Sequence, residues 1–245
     1  MDDVITGIVA AAADYKEADQ LVTVITPDHG RLTFYARGLK KPASKNAGAC
    51  RLFSRSEFVC DYDPERGRQL LKTASLKDGR PLLQTDYQRL AIASAVLEVA
   101  AQADSEEPLY DLLDAALDRI ESGQEPYTAA CVFVGQTLKR LGIEPVVDGC
   151  AQCGATAGIE AISIEDGGFL CHECNRTTHL PAMTVEQLHR FRLVNKASFD
   201  VYDKVMGLGL DQWPLLELML LFLSQYSGLR LRSMRSLVDL NAKRP

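Results

Sequence analysis

The chain has 245 residues, 47% hydrophobic and 24% charged, with 17 Gly and 10 Pro. Such a length allows one or two domains, and such a composition excludes collagen-like, mucin-like and wholly disordered chains. The formal net charge is −6, yet residues 30–56 hold seven bases and no acid, so this segment is +7 and the remainder −13.

In chain order, the first eighty residues read as β. Ile5 to Ala11, Leu21 to Thr26 and Arg31 to Arg37 are three short apolar or alternating runs, and Pro27-Asp28-His29-Gly30 suits a tight connection between the last two. Along the third run Leu32, Phe34 and Ala36 face one way, and Arg31, Thr33, Tyr35 and Arg37 the other. A loop rich in Lys, Gly, Ser and Asn follows from Gly38 to Gly48. Arg51 to Tyr62 then holds a strand with Phe58, Cys60 and Tyr62 on one side, and Leu70 to Leu76 is the fifth run. Five short strands with a long basic loop after the third predict a small barrel, an OB-fold by preference over an SH3-like one.

Beyond Gly79-Arg80-Pro81 the period lengthens to about 3.6. Tyr87, Leu90, Leu97 and Ala101 mark a first helix, and Pro108 to Ile120 a second with Leu109, Leu112, Leu113, Ala116 and Leu117 on one face. Pro126 opens a third, lined by Ala130, Phe133, Thr137 and Leu141 and closed by Gly142. Residues 143–181 read as two hairpins around a metal. Thr184-Val185-Glu186-Gln187 is a capping box that starts a helix towards Val194, and Gln212 to Leu229 is the final long helix, with Trp213, Leu216, Leu220 and Leu223 spaced for burial. The predicted organisation is α+β and multidomain: a barrel over 1–80 and a helical domain over 81–245 with a zinc-binding insertion at 143–181.

Seven cysteines are an odd number for a secreted disulfide scaffold. The acidic Met1-Asp2-Asp3-Val4 start lacks the basic region of a secretory signal, and the longest apolar run, Leu215 to Leu223, is interrupted by Glu217 and too short for a bilayer. A cytoplasmic protein is expected, with Cys50, Cys60 and Cys131 as buried small hydrophobes. Cys150-Ala151-Gln152-Cys153 and Cys171-His172-Glu173-Cys174 have the spacing of a four-thiolate zinc site, because each C-x-x-C turn lets two sulfurs converge on one ion. Two disulfides or a redox dithiol are the competing readings. Four thiolates close the coordination sphere, so the one Zn2+ expected is structural. His172 and His179 stand nearby as surface histidines rather than ligands. The sequence holds no G-x-x-x-x-G-K-[ST] loop, no H-E-x-x-H and no G-x-S-x-G elbow, and nothing assembles into a catalytic site.

The segment Gly30-Arg31-Leu32-Thr33-Phe34-Tyr35-Ala36-Arg37-Gly38-Leu39-Lys40-Lys41, with Ser44-Lys45 and Cys50-Arg51-Leu52-Phe53-Ser54 after it, resembles the N-terminal domain of the bacterial recombination mediator RecO family. Leu141-Gly142 leading into the four-Cys insertion, and the closing Tyr226-Ser227-Gly228 with Arg232-Ser233, are similar to that family's later stretches. The resemblance spans the chain. It implies an OB-fold that binds single- and double-stranded DNA, anneals complementary strands and, with RecR, loads RecA onto strands coated by single-strand-binding protein. It also implies nucleoid association, and a helical domain that receives the acidic C-terminal tail of single-strand-binding protein. Where family members often carry Arg-Phe-Glu, this chain has Val132-Phe133-Val134; Lys139, Arg140, Arg190 and Arg230 are the other bases available to such a tail.

Two functions follow. One is a non-enzymatic DNA-binding mediator whose contacts are Arg31, Tyr35, Arg37, Lys40, Lys41, Lys45, Arg51 and Arg55. Phosphate contacts dominate because Tyr35 is the single aromatic on its strand face. The alternative is a zinc-ribbon interaction adaptor whose basic loop meets an acidic protein partner. The closing basic run of Arg230, Arg232, Arg235, Lys243 and Arg244 fits either.

Overall fold

The computed structural model describes residues 2–103 and 109–242. Pro108 as a helix start, and Lys243 and Arg244 of the closing basic run, lie outside the described residues. Six strands open the chain: β1 (Asp3–Asp14), β2 (Gln20–Thr26), β3 (Gly30–Ala36), β4 (Arg55–Cys60), β5 (Gln69–Leu70) and β6 (Thr73–Asp78). They form one curled sheet in the order β5-β3-β2-β1-β4-β6.

The expected five-stranded barrel is thus corrected to a curled six-stranded sheet. The fifth predicted run splits at Leu71-Lys72, because its two ends serve different neighbours. Gln69 and Leu70 pair in parallel with Phe34 and Tyr35, whereas Thr73 onward runs antiparallel to β4. Between them Leu71 N–H donates to the Tyr35 carbonyl and Lys72 N–H to that of Val59. One short segment therefore touches both edges of the sheet and curls it.

β1 is long enough to serve two partners. Asp3 to Ile8 pair with β4 and Ile8 to Asp14 with β2, and a bulge between Val9 and Ala11 marks the change. Ile5 and Val9 join Val22, Val24, Phe34, Ala36, Phe58 and Cys60 inside the curl, where the Phe34 and Phe58 rings stack at 5.0 Å. Gly7 lies between them, and a Cβ there would stand 2.2 Å from Val24 Cγ1 and 2.8 Å from the Ile25 carbonyl, so only glycine fits.

Helices α1 (Leu82–Thr85), α2 (Tyr87–Gln102) and α3 (Tyr110–Ser122) complete the first of two compact units. α2 and α3 both pack on β1. The apolar stripe expected on α2 is corrected: Tyr87 is exposed, and burial falls on Ala91, Ile92, Ala93, Ala95, Val96, Leu97 and Val99. A helix covered by α1, α3 and the sheet is apolar on most sides, which blurs a 3.6-residue stripe.

The second unit holds α4 (Pro126–Arg140), β7 (Ile159–Ser163), β8 (Gly168–Cys171), α5 (His172–Thr178), α6 (Val185–Lys196), a 3-10 turn at Phe199–Val201, α7 (Tyr202–Val205), α8 (Trp213–Ser227) and α9 (Ser233–Ala242). α4 is the hub, buried at every residue from Pro126 to Leu138 except Gln136, and it packs on α6 and α8. Leu216, Leu220 and Leu223 of α8 are buried as expected, with Leu215, Met219 and Phe222 beside them. Thr184 accepts from Gln187 N–H in the predicted capping box. α8 is not the last helix, because α9 follows and Tyr127 of α4 donates to its Asn241. No helix among the described residues is long and apolar enough to cross a membrane.

Candidate nucleic-acid interface and metal centre

The basic segment begins on β3 and continues through turns that leave Arg37, Lys40, Lys41, Lys45 and Arg51 exposed. The β1–β2 turn is tied to it. Asp19 accepts the Tyr35 hydroxyl and the Gly38 N–H at 2.8 Å, and both bonds hold its carboxyl below the ordinary range. Lys40 N–H donates to the Ala18 carbonyl, and its ammonium pairs with Asp14 at 2.7 Å. Residues 14–19 and 35–41 thus form one surface.

The eight predicted contacts divide. Arg37, Lys41, Lys45 and Arg51 are exposed and in no salt bridge among the described residues. Arg31 is exposed and donates to the Ala101 carbonyl at 3.3 Å. Lys40 is half-neutralised by Asp14. Tyr35 is half-buried and engaged with Tyr15, Lys16, Arg37 and Asp19. Arg55 stands apart from the others: its guanidinium pairs with Asp114 of α3 at 2.6 Å and with Asp78 at 3.8 Å. Sequence reading missed Tyr15, Lys16 and Arg68, which the fold carries to the same surface. Lys16 and Arg68 fall outside the acid-free segment, and an aromatic at a hairpin turn has no period to betray it.

The cysteine cluster lies in the second unit. Gly154 N–H closes the first turn onto the Cys150 carbonyl at 2.8 Å, and Cys150 N–H donates to the Ala155 carbonyl. The second pair sits at a helix start, with Cys171 at the N-cap of α5 and Cys174 in its first turn. The expected two hairpins are therefore one hairpin, β7–β8, followed by a short helix. Gly168 brings β8 against Val146, where a Cβ would meet the Val146 carbonyl at 2.3 Å.

All four sulfurs lie within 4.8 Å of one another, and Cys153 and Cys171 are 3.6 Å apart. Tetrahedral thiolates at the usual Zn–S length would be about 3.8 Å apart, whereas a disulfide needs about 2.0 Å. All seven cysteines are free. The four can hold a metal ion, and the donor set fits one. Burial pushes the Cys150 thiol up, but N–H groups of Cys171, Cys153 and Gln152 and the Cys174 thiol outweigh it and bring it down to about 6. Cys174 moves upward, through its bonds to the other thiols and through burial. Four sulfur ligands within 4.8 Å of one another suit a soft divalent cation.

His172 and His179 are not in the cluster. His172 Nδ1 contacts Glu160 at 2.8 Å, and His179 ends α5 in a left-handed conformation. Buried Asn175 organises the second knuckle, donating to Glu160 and the Leu180 carbonyl and accepting from Leu180 N–H. The other three cysteines are buried as expected, and burial pushes the Cys50 thiol up to about 12.

Comparison with known proteins bears on the whole chain. The profile described as "Recombination protein O N terminal" matches residues 1–80, and "Recombination protein O C terminal" matches residues 84–235. A DNA repair protein RecO of Exiguobacterium sibiricum is 32% identical over 249 residues, covering 98% of this chain and 98% of its own. Its counterpart in Listeria innocua is 29% identical over 246 residues, covering 96% and 93%. These relatives bear the name of a DNA repair protein and of no enzyme. A curled OB-type sheet followed by a helical unit with a four-cysteine cluster fits that company, and the chain belongs to the RecO family of DNA repair and recombination mediators.

Proposed function

We propose that this protein binds single- and double-stranded DNA through the basic surface of its N-terminal unit and anneals complementary strands. With RecR it then helps load RecA onto strands coated by single-strand-binding protein. The observation that carries the reading is electrostatic. On a chain of net charge −6, Arg37, Lys41, Lys45 and Arg51 stand exposed and in no salt bridge among the described residues, beside Lys16 and Arg68. Cations outside any salt bridge can displace the counterions condensed on phosphates, and this is the main source of sequence-independent affinity for nucleic acid. Arg31, Tyr35, Lys40 and Arg55 complete the proposed contact set. Arg55 acts as a support, given its pairing with Asp114.

The four cysteines hold one structural Zn2+. The ion maintains the second unit and leaves the first to meet DNA, since residues 149–174 hold four acids and no Lys or Arg. Association with the nucleoid follows from the same affinity. The helical unit receives the acidic tail of single-strand-binding protein. Val132, Phe133 and Val134 are buried in α4 and take no part, and exposed Lys139 in the last turn of that helix is an available base. The test is a coupled assay: annealing of labelled complementary strands by the protein alone, then RecA loading on protein-coated strands with RecR added. Stimulation of both is expected. Failure of annealing under low salt, with the protein folded, would overturn the reading.

A further inference from the structure

Tyr15, in the turn between β1 and β2, and Tyr35, on β3, form an aromatic pair that already holds three cations. Tyr15 and Tyr35 meet edge to face, with centroids 5.5 Å apart and planes at 78°. Arg68 lies over the Tyr15 ring at 5.3 Å, Arg37 over Tyr35 at 5.6 Å, and Lys16 over both rings at 5.6 and 5.7 Å. Tyr15 is 40% exposed, whereas Tyr35 is half-buried and anchored through its hydroxyl to Asp19. Among the described residues, Lys16, Arg37 and Arg68 form no salt bridge, although Lys16 and Arg37 both act electrostatically on the Asp19 carboxylate. The aromatic faces are therefore occupied by groups that a phosphate would attract more strongly than a ring does.

We propose that Tyr15 and Tyr35 form a stacking platform for the unpaired bases of a single DNA strand, with Lys16, Arg37 and Arg68 as its phosphate clamps. The proposal rests on the DNA-binding reading above and narrows it to unpaired strands. A cation over an exposed ring is weakly held. A phosphate carries a full charge and draws the guanidinium off, and the vacated face is then open to a base, which stacks on an aromatic whatever its sequence. Duplex DNA keeps its base faces in its own stack, so it can engage the clamps but not the platform. Asp19 fixes the Tyr35 ring, while the exposed Tyr15 ring has room to meet the base. The competing possibility is that the cluster only stiffens the hairpin, in which case it cannot distinguish the two forms of DNA.

The test uses the full-length protein with an oligo-dT single strand and a mixed-sequence duplex, titrated side by side at one moderate salt concentration. Tyr15→Ala is expected to weaken single-strand binding about tenfold and to leave duplex binding nearly unchanged, whereas Tyr15→Phe keeps both. Arg68→Ala is expected to weaken both forms and to flatten the salt dependence of both. Should Tyr15→Ala lose its native circular dichroism, Tyr15→Leu retains apolar bulk without a π-face and serves the same comparison. Equal losses for strand and duplex, or no loss for either, would overturn the platform while leaving DNA binding intact. A wild-type protein that binds neither DNA in a salt-dependent way would overturn the DNA reading itself.

Discussion

Arg80 shows how far one residue can depart from its appearance in the sequence. Gly79-Arg80-Pro81 reads as a breaker between two regions, yet the Arg80 side chain is fully buried, with φ at +42°. Its Nη1 donates to the Phe53 carbonyl at 3.0 Å, its Nε to Asp118 at 2.9 Å, and its Nη2 to both Asp114 and Asp118. The partners lie a third of a domain further on, in a helix, and no local pattern could announce them. Asp114 also takes Arg55, which explains why one base of the acid-free segment turns away from the others. Removing one member of a buried ion pair strands the remaining charges. Asp114 and Asp118 keep 18% and 44% of their side chains exposed and Asp114 retains Arg55, so Arg80→Met is predicted to lower unfolding stability by about 3 kcal/mol, the low end for a broken buried pair, read from a urea midpoint. Wild-type stability in that variant would show that the two aspartates do not need it.

At the scale of elements, what was legible depended on whether the determinants are local. The alternation of β3, the capping box before α6 and the cysteine spacing are local, and each element stands where its residues predict. The N-termini of α1 and α4 are different. Glu121 accepts from Leu82 N–H and Leu83 N–H, and Asp211 accepts from Tyr127 N–H at 2.6 Å and Thr128 N–H at 3.2 Å. Each carboxylate, from far along the chain, accepts from amides left free at a helix start, and Asp211 also meets the positive end of the α4 dipole. Thr184→Ala should cost about 1 kcal/mol. Asp211→Ala should cost more, about 1.5–3 kcal/mol, because charge-assisted bonds at a buried helix start are lost. Denaturant titration of the two variants checks the order; a cheaper Asp211→Ala would contradict the capping role. The split of the fifth run and α9 were not legible, since sheet curling and the Tyr127–Asn241 contact arise only in the assembled fold.

We assign DNA contact to the first compact unit and the proposed metal to the second. A closed thiolate site contributes on the order of 10 kcal/mol, comparable to the net stability of an entire domain, roughly 5–15 kcal/mol. If the cysteines hold the proposed ion, a strong chelator or Cys150→Ala is predicted to unfold the β7–β8 insertion, shown by lost amide-exchange protection over residues 159–171. Salt-dependent DNA affinity should fall far less than in a basic-surface variant. Abolished DNA binding in metal-stripped protein whose first unit is still folded would show that the knuckle itself touches the strand.

Whether the salt-bridge-free cations of the N-terminal unit meet phosphates is decided by the slope of log affinity against log salt for a single strand. The comparison is between the wild-type protein and a folded variant carrying Arg37→Ala, Lys41→Ala and Lys45→Ala. A linear decline is predicted for both, shallower in the variant by about 2 units for three lost contacts. An unchanged slope would contradict it.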